Sequence, residues 1–181
     1  MKFESTSISE IKIVCPNIYN DKRGYFFESF RSDLFLKNKL PVQFLQDNEV
    51  QSTKGVLRGL HYQLKKPQGK LVRVLVGAII DVAVDIRVGS PTFGKSEMVE
   101  LSDKNKKMLY IPEGFAHGYL VKSEQSTVVY KCTNLYDSND EYGIKWNDET
   151  LNLEWNFSKP IISAKDASLP SLIKQKKLPI Y

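Results

Sequence analysis

Residues 70–87 alternate apolar and polar positions with the two-residue period of a β-strand. Lys70-Leu71-Val72-Arg73-Val74-Leu75-Val76 is short and rich in β-branched residues, Gly77-Ala78 follows, and Ile79 begins a second run that ends at Arg87. The pair predicts a hairpin closed by a glycine turn. In the second run Asp81, Asp85 and Arg87 share one parity, and Ile80, Val82, Val84 and Ile86 share the other. That period predicts one polar and one apolar face, the polar face either lining a pocket or meeting solvent. Further strands are predicted at 99–101, 107–111, 118–122 and 127–134, separated by turn formers such as Gly89-Ser90-Pro91, Pro112-Glu113-Gly114 and Ser123-Glu124-Gln125-Ser126. Short strands with regular turns predict an antiparallel sandwich or barrel. The helical period is scarce. Residues 31–39 predict one short helix with Ser32 as its N-cap. No repeat, linker or low-complexity stretch interrupts the chain, so residues 1–181 are expected to form one domain. The proline-punctuated segment after Trp155 is expected to wrap the surface.

Composition narrows the class. With 41% apolar and 11% aromatic residues the chain has a globular balance. No run approaches the ~18 apolar residues of a membrane helix. Met1-Lys2-Phe3-Glu4-Ser5-Thr6 lacks an apolar leader core, which predicts a cytoplasmic protein. Cys15 and Cys132 are the only cysteines and are far apart, which predicts reduced, packed thiols. The net charge of +5 fits either a surface for nucleic acid or a pocket for a small anion. The one dense basic run, Lys174-Gln175-Lys176-Lys177, reads as a solvated tail. No zinc-finger spacing, RNP-like run or basic helix occurs, so no nucleic-acid partner is expected.

Reactive residues concentrate in four segments. One of the two histidines lies in Arg58-Gly59-Leu60-His61-Tyr62-Gln63, with Lys70 and Arg73 shortly after. A permanent cation beside an imidazole suits proton removal accompanied by growing negative charge. Strand parity puts Arg58 and His61 on opposite faces. A bulge at Gly59 would re-aim both toward one cavity. The alternative for His61 is a core histidine bonded to backbone. The other histidine, His117, lies in Ile111-Pro112-Glu113-Gly114-Phe115-Ala116-His117-Gly118-Tyr119, whose glycines allow close backbone approach to a ligand. Asp21-Lys22-Arg23-Gly24-Tyr25-Phe26-Phe27-Glu28 reads as a hairpin with an aromatic strand. The fourth group is Val129-Tyr130-Lys131 with Tyr136 and Glu141, followed by Ser163-Ala164-Lys165-Asp166. Asp166 is open between two roles, a partner that fixes an imidazole tautomer and a turn residue. Two histidines with no His-x-His and no cysteine cluster give no expectation of a metal. No Gly-x-Ser-x-Gly elbow occurs, which disfavours a serine hydrolase.

These segments, in this order, resemble the dTDP-4-dehydrorhamnose 3,5-epimerase family of nucleotide-sugar epimerases. The resemblance also runs through Phe44-Leu45-Gln46-Asp47-Asn48, Gln68-Gly69-Lys70-Leu71-Val72-Arg73, Ser90-Pro91-Thr92-Phe93-Gly94 and Ile144-Lys145-Trp146-Asn147-Asp148. It implies a mainly β, cupin-type jelly roll, either sandwich or barrel, with a few short helices. It also implies a homodimer that exchanges N-terminal strands, and a cofactor-free reaction in deoxysugar and surface-polysaccharide biosynthesis. The implied substrate is a nucleoside-diphosphate 4-keto-6-deoxy sugar, inverted at C3 and C5 through an enolate. By the family pattern His61 is the base, Asp166 supports it, Lys70 and Arg58 face the C4 oxygen, and Tyr130 is the acid. The same pattern puts Arg23, Phe26, Glu28, Gln46, Asp47, Asn48, Arg58, Lys70, His117, Glu141 and Lys165 at the substrate and Tyr136 against the nucleotide base. One departure is Leu135-Tyr136, where the family often has paired tyrosines. The alternatives carried forward are inversion at C3 alone, a GDP-linked or other nucleotide sugar, a catalytically silent sugar-nucleotide-binding cupin, and a metal-dependent cupin oxygenase.

Overall fold

The computed structural model describes residues 1–181. Its elements in chain order are β1 (Lys2–Ser5), β2 (Lys12–Cys15), β3 (Tyr19–Asp21), β4 (Gly24–Phe26), α1 (Ser32–Lys37), β5 (Gln46–Thr53), β6 (Leu57–Gln63), β7 (Lys70–Val76), β8 (Ala78–Asp85), β9 (Ser96–Ser102), β10 (Met108–Ile111), β11 (Phe115–Val121), β12 (Gln125–Cys132), β13 (Glu141–Gly143) and α2 (Ala164–Ala167). A six-stranded sheet runs β1-β2-β10-β7-β12-β5 and a five-stranded sheet runs β13-β6-β11-β8-β9, while β3 and β4 pair as a separate hairpin. Neighbouring strands are antiparallel throughout, and the mainly β sandwich matches the expected fold class.

Three apolar clusters hold the layers together. Val72, Val74 and Val128 of the six-stranded sheet meet Ile79, Ala83, Phe115, Tyr119 and Val121 of the five-stranded one. The outer face of the five-stranded sheet presents Leu57, Leu60, Val82, Val84 and Leu120, and the C-terminal segment covers it with Ile144, Leu151, Trp155 and Leu172. On the outer face of the six-stranded sheet, Val14, Leu71 and Met108 pack under Phe35 of α1 and Leu40. The segment after Trp155 therefore wraps the molecule, as expected, and also closes an apolar face.

Three expectations need correction or narrowing. First, β7 and β8 do not form a hairpin. Their alternation is real, but β7 pairs with β10 and β12, while β8 pairs with β9 and β11. Gly77, at φ +80°, passes the chain from one sheet to the other, and a Cβ there would lie 2.1 Å from the Gln125 carbonyl oxygen. Second, of the two settings left open for the polar face of β8, solvent is excluded, and Asp81 instead bonds the cavity-lining His117. Asp81 and Asp85 are fully buried, because one face of β8 lies between the sheets and the other lies beneath the C-terminal segment. Burial alone would raise the Asp85 carboxyl, but bonds from Arg87, Ser90 and Thr92 hold it at about 2. Third, Ser32 is the first helical residue of α1, and Arg31 occupies the N-cap without a side-chain capping bond. Residues 99–101 lie within β9, residues 108–111 are all of β10, and 118–121 and 127–132 lie within β11 and β12.

Candidate active site

The β6–β11 pairing carries an irregularity at Gly59. His61 opposes His117 and Arg58 opposes Tyr119, so one extra residue on β6 is accommodated as a bulge. Gly59 sits at φ +112°, and a Cβ there would come within 2.6 Å of Gly118 Cα and the His117 carbonyl oxygen. Only glycine fits this crossing. The bulge overrides simple strand parity and brings Arg58 and His61 to one cavity, as the sequence required.

That cavity lies between the sheets in two adjoining lobes of about 330 and 470 Å³, which share His61, Lys70 and Tyr130. The five-stranded sheet contributes Arg58, His61 and His117. The six-stranded sheet contributes Lys70, in register with inward-facing Val72 and Val74, and Tyr130, which pairs with Val72. From β5, Gln46 and Asn48 face the same space.

His61 is anchored from behind. Its Nε2 lies 2.7 Å from Asp166 Oδ1, and Gly59 N–H donates to Asp166 Oδ2 at 3.3 Å. Ser163 caps α2 by accepting the Asp166 N–H, which fixes the aspartate at the helix start. Asp166 is only 5% exposed. Burial would raise its carboxyl, but His61 and the Gly59 N–H outweigh burial and lower it. An ionised Asp166 selects the tautomer with the proton on Nε2 and leaves the Nδ1 lone pair free. Nδ1 lies 3.8 Å from Glu141 Oε1.

A second buried pair sits opposite His61. His117 Nε2 is 2.7 Å from Asp81 Oδ1, and Asp81 Oδ2 has no hydrogen-bond partner. Burial lowers the His117 imidazole, against the opposing pull of the Asp81 charge. Burial also lowers the Lys70 ammonium and raises the Tyr130 phenol. Arg58 is steadied by Nε donating to Ser52 Oγ at 3.1 Å.

At the rim, Tyr136 donates its hydroxyl to Glu141 Oε2 at 2.6 Å, and Lys165 Nζ donates to the same oxygen. Burial would raise the Glu141 carboxyl, but these two donors bring it down. The Tyr136 N–H donates to Gln46 Oε1 at 2.7 Å, tying the rim to β5.

The single chain thus gathers Gln46, Asn48, Arg58, His61, Lys70, His117, Tyr130, Tyr136, Glu141, Lys165 and Asp166 around one space. It does not bring in the other expected residues. Asp47 points to the outer face of the six-stranded sheet, where it pairs with Lys131 at 2.9 Å. Arg23 is paired with Asp21 at 2.6 Å, Glu28 with Arg31 at 3.4 Å, and Phe26 is 66% exposed, all on or just after the β3–β4 hairpin. No group of three or more His, Cys, Asp and Glu side chains is arranged to hold a metal ion.

Sequence reasoning gave no role to Ser52, Ser163 or Gln63. Ser163 was detectable as the serine of a Ser-x-x-Asp helix start. Gln63 is buried and joins two rim loops, donating to the carbonyls of Lys66 and Leu135 and accepting from the Asp137 N–H. Only the pairing of distant loops reveals that role.

Residues 5–174 match the family model described as dTDP-4-dehydrorhamnose 3,5-epimerase. The dTDP-4-dehydrorhamnose 3,5-epimerase of Methanothermobacter thermautotrophicus is 47% identical over 183 aligned positions, covering 99% of this chain and 97% of the relative. That of Shigella flexneri is 51% identical, covering 92% of this chain and 93% of the relative. Among solved structures, the dTDP-6-deoxy-D-glucose-3,5-epimerase of Legionella pneumophila, in complex with dTDP-4-keto-L-rhamnose, superposes with a TM-score of 0.96 at 45% identity, covering 99% of this chain and 98% of that one. A 3'-monoepimerase of Streptomyces bikiniensis, in complex with dTDP-quinovose, shares the fold with a TM-score of 0.91 at 30% identity, covering 98% of this chain and 92% of that one. No helix is long and apolar enough to cross a membrane.

Proposed function

The chain belongs to the dTDP-4-dehydrorhamnose 3,5-epimerase family, and on that premise we propose that it inverts C3 and C5 of dTDP-4-dehydro-6-deoxy-D-glucose to give dTDP-4-dehydro-L-rhamnose. The observation that carries the reading is the division of labour across the cavity. His61, backed by Asp166, stands on one sheet, and Tyr130 and Lys70 stand on the other. Inversion through a planar enolate needs a base on one face of the carbon and an acid on the other.

His61 Nδ1 removes the proton α to the C4 ketone, and Asp166 stabilises the imidazolium that forms. The electron pair moves toward the C4 oxygen, where Lys70 and Arg58 hold the growing charge. Tyr130 returns a proton from the opposite face. The product has the same oxidation state as the substrate, so the chemistry calls for no redox cofactor. His117, Gln46 and Asn48 position the sugar and diphosphate, while Tyr136 stacks on the base beside Glu141 and Lys165. The relatives solved with dTDP sugars support the dTDP-linked substrate over a GDP-linked one. The higher identity to 3,5-epimerases than to the monoepimerase supports inversion at both carbons. The reading includes a role in surface-polysaccharide biosynthesis and a reducing, cytoplasmic location, which two unpaired cysteines support.

Two measurements test this. In deuterated water with dTDP-4-keto-6-deoxyglucose and no added metal or nicotinamide, NMR is expected to show deuterium at both C3 and C5. Exchange at C3 alone would make the protein a 3-epimerase, and no exchange would end the assignment for this substrate.

The second measurement concerns assembly. The exposed β3–β4 hairpin supports a homodimer in which Arg23, Phe26 and Glu28 complete the partner's site. Mixing a His61→Ala protein with an Arg23→Ala protein is then expected to restore activity, because one site of each mixed dimer regains both residues. Activity that remains the plain sum of the two parents after subunit exchange would exclude the shared site.

A further inference from the structure

Two inversions in one visit by the substrate require the base to be reset, and this argument rests on the reading above. After the first inversion His61 Nδ1 carries the proton taken from carbon, and Tyr130 has surrendered its own. His61 cannot serve the second carbon until that Nδ1–H bond breaks.

We propose that Glu141 returns the His61 proton to solvent between the two inversions. Three observations converge on it. Glu141 Oε1 is 3.8 Å from Nδ1, the nitrogen that Asp166 leaves free. A direct hydrogen bond is shorter than this, but one water joins two atoms at that separation with bonds of ordinary length. Glu141 Oε1 is also the oxygen without another partner, since Tyr136 and Lys165 both donate to Oε2. The carboxylate is thereby held by one oxygen and presents the other to the base. Finally, the route leads outward. Asp166, behind the ring, is sealed by burial and by Gly59, whereas Lys165 beyond Glu141 has a side chain 58% exposed.

The balance is simple. The Nδ1–H bond breaks, an O–H bond forms on the bridging water or on Glu141, and that proton passes to bulk water. Tyr130 regains one proton from the same solvent. No atom changes oxidation state. Glu141 acts through His61 and not on the sugar carbon.

The test follows the full-length protein with dTDP-4-keto-6-deoxyglucose in deuterated water at early times. It reads the ratio of doubly to singly exchanged sugar. Wild-type exchange at two carbons establishes the parent reading independently. In Glu141→Gln, which keeps shape and loses the carboxylate, the ratio is expected to fall at least tenfold as singly exchanged sugar accumulates. In Glu141→Ala, added formate is expected to restore the ratio, which a merely structural defect would not allow. An unchanged ratio in either variant, or an equal loss at both carbons that formate does not relieve, would overturn the proposal.

Discussion

Replacing His61 with alanine is expected to lower deuterium exchange at both carbons by about 10²–10⁴-fold, the range typical of a positioned general base. Substrate binding should change little, because Arg58, Lys70 and the rim group Tyr136–Glu141–Lys165 remain in place. The effect therefore belongs in kcat and not in KM. Replacing Asp166 with asparagine offers a sharper version. An amide can turn its NH₂ toward Nε2, which would shift the ring proton to Nδ1, and the base would then present a proton where it needs a lone pair. The His61→Ala protein also leaves a buried Asp166 without its ring partner, at a cost of about 1–3 kcal/mol. Urea titration separates that loss of stability from the loss of chemistry. Exchange at the wild-type rate in folded His61→Ala protein would remove this residue from the role of base.

The hexapeptide around His61 was legible because its constraints are local. Parity alone separated Arg58 from His61, and the only device within the segment able to reunite them was a bulge at its glycine, which is where the register slips. Alternation likewise identified β7 and β8, since β-branched residues on a two-residue period leave few other choices. Pairing was not legible. Whether two runs joined by one glycine fold back on each other or enter different sheets depends on competition from β10, β11 and β12, which lies outside any local window. β5 escaped prediction for a physical reason. Gln46-Asp47-Asn48-Glu49-Val50-Gln51-Ser52-Thr53 has almost no apolar alternation, because much of its inward face lines a polar cavity instead of a core. Propensity reads such a strand as loop, although its residues contribute to the site. The outward Asp47 and the distant hairpin of Arg23 show the remaining limit. A family pattern names residues, but one chain fixes where only some of them lie.

Lys70→Ala is expected to cost about 10²–10³ in kcat, the loss typical when one donor to a developing oxyanion is removed. Lys70 opens β7 on the inner face of the six-stranded sheet, beside His61 and Tyr130, and desolvation lowers its ammonium from the ordinary 10.5. The charged form is the one that stabilises the enolate, so activity falls as pH rises through this lowered value. Tyr130 moves the opposite way, raised by burial from 10.0, and as the acid it keeps its proton to higher pH. The two shifts draw the loss of the lysine charge to lower pH and push the loss of the tyrosine proton to higher pH on the alkaline side. The limb of kcat/KM, which reports the free enzyme, should therefore fall below the pH of an ordinary lysine. Lys70→Arg keeps the charge at every accessible pH but presents it as a planar fork. It should lower the plateau and push the alkaline limb upward, leaving the titration of Tyr130. In Lys70→Ala, added small primary amines should recover part of the lost rate. An alkaline limb that stays in place in the arginine variant, or an alanine variant with full activity, would show that another cation holds the C4 oxygen.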